Sequence, residues 1–293
     1  MTGVLVVDKP AGLTSADVVA RVRRALGERR VGHTGTLDPM ATGVLPVVVG
    51  EATKIAGFLL ADDKAYEGAI ELGWTTDSLD KDGKEIARDS ADVILAATPE
   101  RIRAAAAALV GTIQQVPPMV SAIRQGGKRL YELARRGETV EVPAREVRVD
   151  AFELTAIDGP RVTFRVACSK GTYVRSLARD LGAALGLGAT LTALRRTRAG
   201  DFTTEHAIPL ADVPTRGAAA LLAPATALAS LARLTLGAAE VARIRLGQRL
   251  AAPDGLPEGP LCLLDEAGTL VALAENEAGR LSPRRVLLPE NSI

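Results

Sequence analysis

The chain predicts an α+β fold: a mixed, largely antiparallel sheet with flanking helices, followed by a small β-rich C-terminal module. Strand-like and helix-like stretches alternate irregularly, without the ~30-residue βαβ rhythm of a doubly wound fold. Three strand-like runs, 147–149, 152–157 and 162–169, follow one another with no helix between them. Three short ones near the end, around 261–264, 269–274 and 286–288, predict the compact C-terminal module.

In chain order, Val4 to Val7 reads as a β-branched strand, and Lys9-Pro10-Ala11-Gly12 as a turn. Thr14 and Ser15 then start a helix whose Val18, Val19, Val22 and Leu26 recur at helical spacing up to Gly27. Val44 to Val49 and Tyr66 to Leu72 read as strands, the second ending at Gly73, and 75–83 as a polar turn. Pro99 to Val110 predicts a helix, with Glu100 in its first turn and Gly111 as its stop. Gln125-Gly126-Gly127-Lys128 marks a hairpin or loop, and 130–136 a short helix ended by Gly137. Thr172 to Leu185 predicts an amphipathic helix. Pro209, Pro214 and Pro224 punctuate an Ala-rich region, and 234–250 reads as a further helix.

At 293 residues the chain exceeds the usual single-domain size, so one large domain plus a small one is expected. With 47% apolar, 24% charged and only 3% aromatic residues, a large core must be filled by Ala, Leu and Val. Cys168 and Cys262 lie far apart and form no metal-ligand spacing, which fits a reducing cytoplasm. Only His33 and His206 are present, so neither a multi-histidine metal site nor a Ser-His-Asp triad has support. No basic region followed by an apolar run opens the chain. The Ala/Leu-rich stretch 217–232 contains Pro224 and is short of the ~20 apolar residues a membrane span needs.

Charge is segregated. Seven basic residues stand against one acid over 165–200, and ten acids against four bases over 61–92. This suggests a polyanion-facing surface.

The richest segment is Gly32-His33-Thr34-Gly35-Thr36-Leu37-Asp38-Pro39-Met40-Ala41-Thr42-Gly43. Its glycines permit positive φ or close approach, and Pro39 biases Asp38 toward extended backbone, so one carboxylate is held and presented. Asp38 alone fits a nucleophile, a general base or a metal ligand. A second segment, Ser169-Lys170-Gly171-Thr172-Tyr173-Val174-Arg175, leaves a predicted strand and opens a helix, offering backbone N–H groups and two cations to an anion or to Asp38 itself. A third, Lys64-Ala65-Tyr66, carries a tyrosine into a strand. No GxxxxGK[ST] or strand-linked GxGxxG occurs to hold a nucleotide.

Taken together and in order, these segments resemble the TruB family of tRNA pseudouridine synthases. The likeness also includes Asp8-Lys9-Pro10-Ala11-Gly12, Leu72-Gly73, Pro117-Pro118, Ser121-Ala122-Ile123, the run 127–134, Pro143-Ala144-Arg145 and Asp180-Leu181-Gly182. Val120 stands where an aromatic residue is common, and Arg124 where Lys is common.

The resemblance implies isomerisation of uridine to pseudouridine at position 55 in the T loop of tRNA, without cofactor or metal. Asp38 matches the catalytic aspartate, Arg175 the arginine that pairs with it, and Tyr66 the tyrosine that stacks on the base. Attack at C6, attack at C1′ and assisted elimination all remain open for the carboxylate. Tyr173 and Leu194 match uracil-pocket residues, Asp80 a position near that pocket, and Lys9 a substrate-side lysine. His33 matches the residue that fills the space left by the extruded uridine. Residues 121–150, with Arg124, Lys128, Arg129, Arg135 and Arg136, match an RNA-gripping insertion. The expected division is a catalytic domain at 1–232 with the pseudouridine synthase fold, and a PUA-like RNA-binding module at 233–293. A monomeric cytoplasmic enzyme acting on the T arm of tRNA, with no membrane partner, is expected. The competing readings are a catalytically silent tRNA-binding or tRNA-folding protein of the same fold and, more remotely, a glycosidase or nucleosidase with Asp80 as its second carboxylate.

Overall fold

The computed structural model describes residues 1–60, 63–121, 123–125, 128–130, 133, 136, 138 and 140–288. The chain folds as two compact units, one comprising 1–39, 43–62 and 199–293, the other 40–42 and 63–198.

In the first unit β1 (Gly3–Lys9) runs antiparallel to β3 (Thr42–Val49), with Lys9 opposite Gly43. β2 (Val31–His33) lies antiparallel on β3 with His33 opposite Val47. Between β1 and β2 the helix Ser15–Leu26 starts at a capping box in which Thr14 and Asp17 satisfy each other's backbone N–H. It buries Val18, Val19 and Val22 and stops at Gly27, whose φ of 63° is left-handed.

The second unit carries β4 (Lys64–Leu72), the hairpin β5 (Trp74–Thr76) and β6 (Glu85–Arg88), and β7 (Gly111–Gln115). The hairpin β8 (Arg124–Gln125) and β9 (Lys128–Arg129) follows, then β10 (Arg145–Asp158), β11 (Arg161–Cys168) and β12 (Ala189–Ala199). The sheet order is β12-β4-β11-β10-β7, antiparallel wherever β4, β11, β10 and β7 meet. Tyr66 of β4 stands opposite Val166 of β11.

Back in the first unit, β13 (Phe202–Thr203) precedes β14 (Ile208–Pro209), which runs parallel on β1. A five-stranded sheet closes the chain: β15 (Ala232–Thr235), β16 (Leu250–Ala251), β17 (Gly259–Leu264), β18 (Leu270–Glu277) and β19 (Arg280–Val286), in the order β15-β17-β18-β19-β16. Alternate residues of β17 serve two cores, as the period of two requires. Cys262 and Leu264 join Val4, Val6, Val44 and Val48, whereas Leu261 and Leu263 join Val241, Ile244 and Val271. Each such side chain contributes about 1.5–3 kcal/mol by leaving water. Burial also pushes the free thiols of Cys168 and Cys262 up to about 11.

The α+β class and the β-rich end are as the sequence predicts, and several boundaries differ. Runs 147–149 and 152–157 are one strand, β10, whose pairing shifts between Val149 and Ala151 and between Leu154 and Ala156. The helix expected over 234–250 covers only Ala238–Arg245, because 232–235 pair as β15 and Gly237 is the N-cap. The helix from Pro99 ends at Ala107, and the one expected from Thr172 starts at Val174. The run 217–232 holds short 3-10 turns at Ala218–Ala220 and Thr226–Leu228. Among the described residues no helix is long and apolar enough to cross a membrane. The helix expected over 130–136 falls largely outside the described residues, as do Asp62, Gly126, Gly127 and Arg135.

Candidate active site

The Asp38 loop is fastened on both sides of the aspartate. Leu37 donates its N–H to Ser15 Oγ at 2.8 Å, and Ser15 Oγ donates to the Leu37 carbonyl at 3.2 Å. On the other side, the Pro39 carbonyl accepts from Gly12 N at 2.8 Å and from Lys9 Nζ at 3.2 Å. Lys9 is fully buried and also donates to the Pro10 carbonyl. The turn and helix start at 9–15 therefore form a cradle for the loop, and Lys9 helps to hold it. Gly35, at a φ of 123°, makes the bend before the aspartate without the strain a side chain would bring. Asp38 itself is half-buried between its two fastened neighbours, Leu37 and Pro39. His33 ends β2, and the next residue, Thr34, donates its N–H to the Pro46 carbonyl at 3.0 Å.

Around Arg175 the second unit gathers a different set. The guanidinium donates Nη1 to the Ser78 carbonyl at 2.9 Å and Nη2 to the Val120 carbonyl at 3.0 Å, while Nε lies 3.6 Å from Asp80 Oδ2. Arg175 is 3% and Asp80 5% exposed. A buried cation is thus met by one carboxylate and two carbonyls, which a planar fork can serve at once. Asp80 is fixed in turn: its Oδ1 accepts from Ser78 Oγ at 2.7 Å and from Asp82 N at 3.1 Å, and its carbonyl accepts from Thr76 Oγ1 at 2.6 Å. Leu79 holds a left-handed φ of 65°, a strained state for leucine, at the point where the turn docks on β12. There Leu191 N donates to the Leu79 carbonyl, and Lys81 N to the Leu191 carbonyl.

Tyr173 stands at the N-cap of the helix Val174–Leu185, two residues before Arg175. Tyr66 is buried on β4, and Leu194 is buried on β12, the strand beside it. Lys128 and Arg129 belong to the β8–β9 hairpin, in which Gln125 faces Lys128, and their side chains lie outside the described ones, as does that of Arg124. Among the described residues no three His, Cys, Asp or Glu side chains gather as a metal would require.

Within its unit each segment is thus brought to a common purpose: Lys9 joins the Asp38 loop, and Asp80 joins Arg175. Sequence reasoning placed Ser15 at a helix start and Arg145 in a family-like segment but gave neither a role at the site, and it did not name Gln115; Ser15 ties down Leu37, and Gln115 and Arg145 contact Tyr173. Ser15 carries a signal in hindsight, as a small hydroxyl inside the Lys9-Pro10-Ala11-Gly12 segment's continuation. The strand β12 went unpredicted because Arg195, Arg196 and Arg198 made it read as a basic surface, although Arg196 is 1% exposed.

Comparison with known proteins decides the family. The model for the TruB family pseudouridylate synthase (N terminal domain) matches residues 23–174. The chain belongs to the TruB family. A tRNA pseudouridylate synthase B C-terminal domain matches 175–231, and a pseudouridine synthase II TruB C-terminal model matches 232–287. The tRNA pseudouridine synthase B of Thermobifida fusca is 50% identical over 289 residues, spanning 96% of this chain and 97% of that protein. That of Xanthomonas campestris pv. campestris (strain B100) is 47% identical, spanning 97% of this chain and 93% of that protein. Among solved structures, a chain of a Cbf5-Nop10-Gar1 complex superposes with a TM-score of 0.75 at 28% identity, over 98% of this chain and 85% of that one. A chain of an H/ACA RNP bound to a substrate RNA containing 2'-deoxyuridine gives 0.74 at 26%, over 99% and 86%.

Proposed function

We propose that this chain isomerises uridine to pseudouridine at position 55 in the T loop of tRNA, with Asp38 as the catalytic carboxylate. The observation that carries this is the fastening of the Asp38 loop on both flanks, at Leu37 and at Pro39, which fixes the backbone of a half-buried aspartate. The reaction breaks N1–C1′, turns the uracil and joins C5 to C1′. C5 loses its proton and N1 gains one, so no atom is added and no cofactor or metal is called for.

Tyr66, Tyr173 and Leu194 supply the aromatic and apolar walls for the base, and Arg175 the cation that keeps a carboxylate ionised as water leaves. Asp80 orients that cation. His33 takes the place of the flipped uridine in the RNA stack, with Lys9 under the same loop. Lys128 and Arg129 meet phosphate from the insertion 121–150, and 233–293 serve as the PUA-like RNA-binding module beside the catalytic domain 1–232. The enzyme acts as a cytoplasmic monomer on the T arm.

The test is tritium release from C5-labelled uridine in tRNA, with filter binding on the same samples. Wild type releases tritium at position 55, whereas Asp38→Asn binds tRNA and releases none. Turnover by Asp38→Asn near the wild-type rate would sink the assignment, and binding without turnover by wild type would favour a silent tRNA-binding protein.

A further inference from the structure

The end of β7 and the start of the helix Val174–Leu185 are joined by an unusual contact. Gln115 is fully buried at the edge strand of the second unit's sheet. Its side-chain Oε1 accepts from the Tyr173 N–H at 2.8 Å, and its Nε2 donates to the Tyr173 carbonyl at 3.2 Å. One amide thus grips both main-chain groups of a single residue 58 positions away, as a neighbouring strand would. Tyr173 is the N-cap of its helix and has no side-chain cap of its own, so Gln115 caps it from outside.

Contacts from two further residues make this junction a clamp. Val116, the next residue, accepts at its carbonyl from Ser176 Oγ at 2.9 Å and from Arg179 Nη2 at 3.0 Å. Arg145, which stands opposite Gln115 in the β10–β7 register, places its guanidinium 4.8 Å from the centre of the Tyr173 ring and donates to the Gly171 carbonyl. Tyr173 is therefore held at its N–H, its carbonyl and its ring. Arg175 is two residues further along the same helical turn.

We propose that Gln115 is a positioning residue for the uridine isomerisation, its buried amide fixing Tyr173 and the helical turn that carries Arg175. This rests on the reading of Tyr173 and Arg175 as base-pocket residues. A residue acting through geometry alone loses rate steeply when the geometry loosens, since a displacement of about 1 Å costs on the order of a hundredfold.

The experiment compares Gln115→Leu, Gln115→Glu and Val162→Ala in the full chain. Val162 is a fully buried core residue of β11 outside the proposed site, and serves as a stability control. Single-turnover conversion with enzyme in excess, filter-binding affinity for tRNA and melting temperature are measured for each. Gln115→Leu is expected to lose about tenfold to a hundredfold in rate, with affinity within about twofold of wild type. Val162→Ala is expected to keep its rate at a comparable loss of melting temperature.

Gln115→Glu separates positioning from mere support. The carboxylate still accepts from the Tyr173 N–H, but only the protonated acid can donate to its carbonyl, and burial favours that protonated form. Its rate relative to wild type at the same pH should therefore rise as pH falls from about 8 to about 6. If Gln115→Leu does not fold, Gln115→Glu carries the comparison. Rates within about twofold of wild type for the Gln115 variants, or losses matched by Val162→Ala, overturn the role. A wild type that makes no pseudouridine overturns the reading beneath it instead, and the two failures are told apart by that one sample.

Discussion

The Asp38 loop and the first turn of the helix Val174–Leu185 each hold one charged side chain, Asp38 and Arg175, and they are held by different means. The bonds that fasten Asp38's neighbours come from residues 22, 27 and 30 positions away, all in one short stretch before the loop. Those that fix Arg175 and Tyr173 come from 55, 58 and 97 positions away, out of two distant stretches, one at Ser78 and one at 115–120. The first device is a local cradle, so its parts recur as neighbouring sequence motifs. The second is an assembly that exists only once the sheet has formed. Arg175 should therefore depend on the packing of the second unit's sheet.

The largest expected effect tests whether the cradle exists for its charge. Asp38→Asn keeps the size and polarity of the side chain, so the bonds at Leu37 and Pro39 stay and the protein still folds. Pseudouridine formation should fall below detection while tRNA binding persists. A normal rate would mean that the cradle presents something other than a catalytic carboxylate.

The next effect sharpens the second half of the comparison. Arg175→Lys retains a cation but cannot serve the Ser78 carbonyl, the Val120 carbonyl and Asp80 from one planar fork. A rate loss of about a hundredfold with little change in tRNA affinity is expected. Equal losses in rate and affinity would indicate that the arginine serves binding rather than the reacting geometry.

Smaller still is the effect of loosening the cradle. Ser15→Ala leaves the Leu37 N–H and carbonyl without the hydroxyl that serves both, at a site only 2% exposed. The expected cost is about 1–3 kcal/mol of stability. It should come with a rate loss of about tenfold, because Asp38 is the next residue. Denaturant melts and single-turnover assays check the pair, and a stability loss with an intact rate would separate the cradle from the chemistry.

The same contrast explains what could be read in advance. The Asp38 loop, the first helix with its Thr14 start, and the 169–175 turn were legible because their determinants are local: glycines, a proline, caps and apolar spacing. The β-rich end was legible in kind, although β15 was missed because Leu234 sits in an apolar run that suits a helix as well as a strand. β12 was illegible because buried Arg196 breaks the rule that charge means surface. Gln115 was illegible for a simpler reason: a single amide 58 positions from its partner leaves no pattern in the chain.

One tie in the first unit is an exception to its local character, and it gives the prediction with the least effect on the reaction. Glu51, 3% exposed, pairs with Arg30 and with Lys54 Nζ at 2.6 Å. It also accepts from the Leu288 N–H at 2.8 Å, 237 positions away, while Lys54 reaches the Val286 carbonyl. Burial opposes ionisation of this carboxyl, but the Leu288 N–H, Lys54 and Arg30 together outweigh it and hold the pKa below the ordinary 4.5. With the folded value below the unfolded one, the carboxylate's contribution is complete above about pH 4.5 and fades as pH falls through the folded value. Glu51→Gln keeps the shape but not the charge, and should cost on the order of 1–2 kcal/mol near neutrality. Its melting temperature should approach that of wild type as the pH falls below the unfolded value of 4.5 and through the lowered folded one, with conversion at neutral pH unchanged in both. If the gap between the two proteins is the same at pH values well above and well below about 4.5, the tie between 51 and 288 is not electrostatic. A neutral-pH rate that falls with Glu51→Gln would show instead that the strand leading to His33, just after Arg30, depends on a bond to the far end of the chain, and the first unit would be no more local than the second.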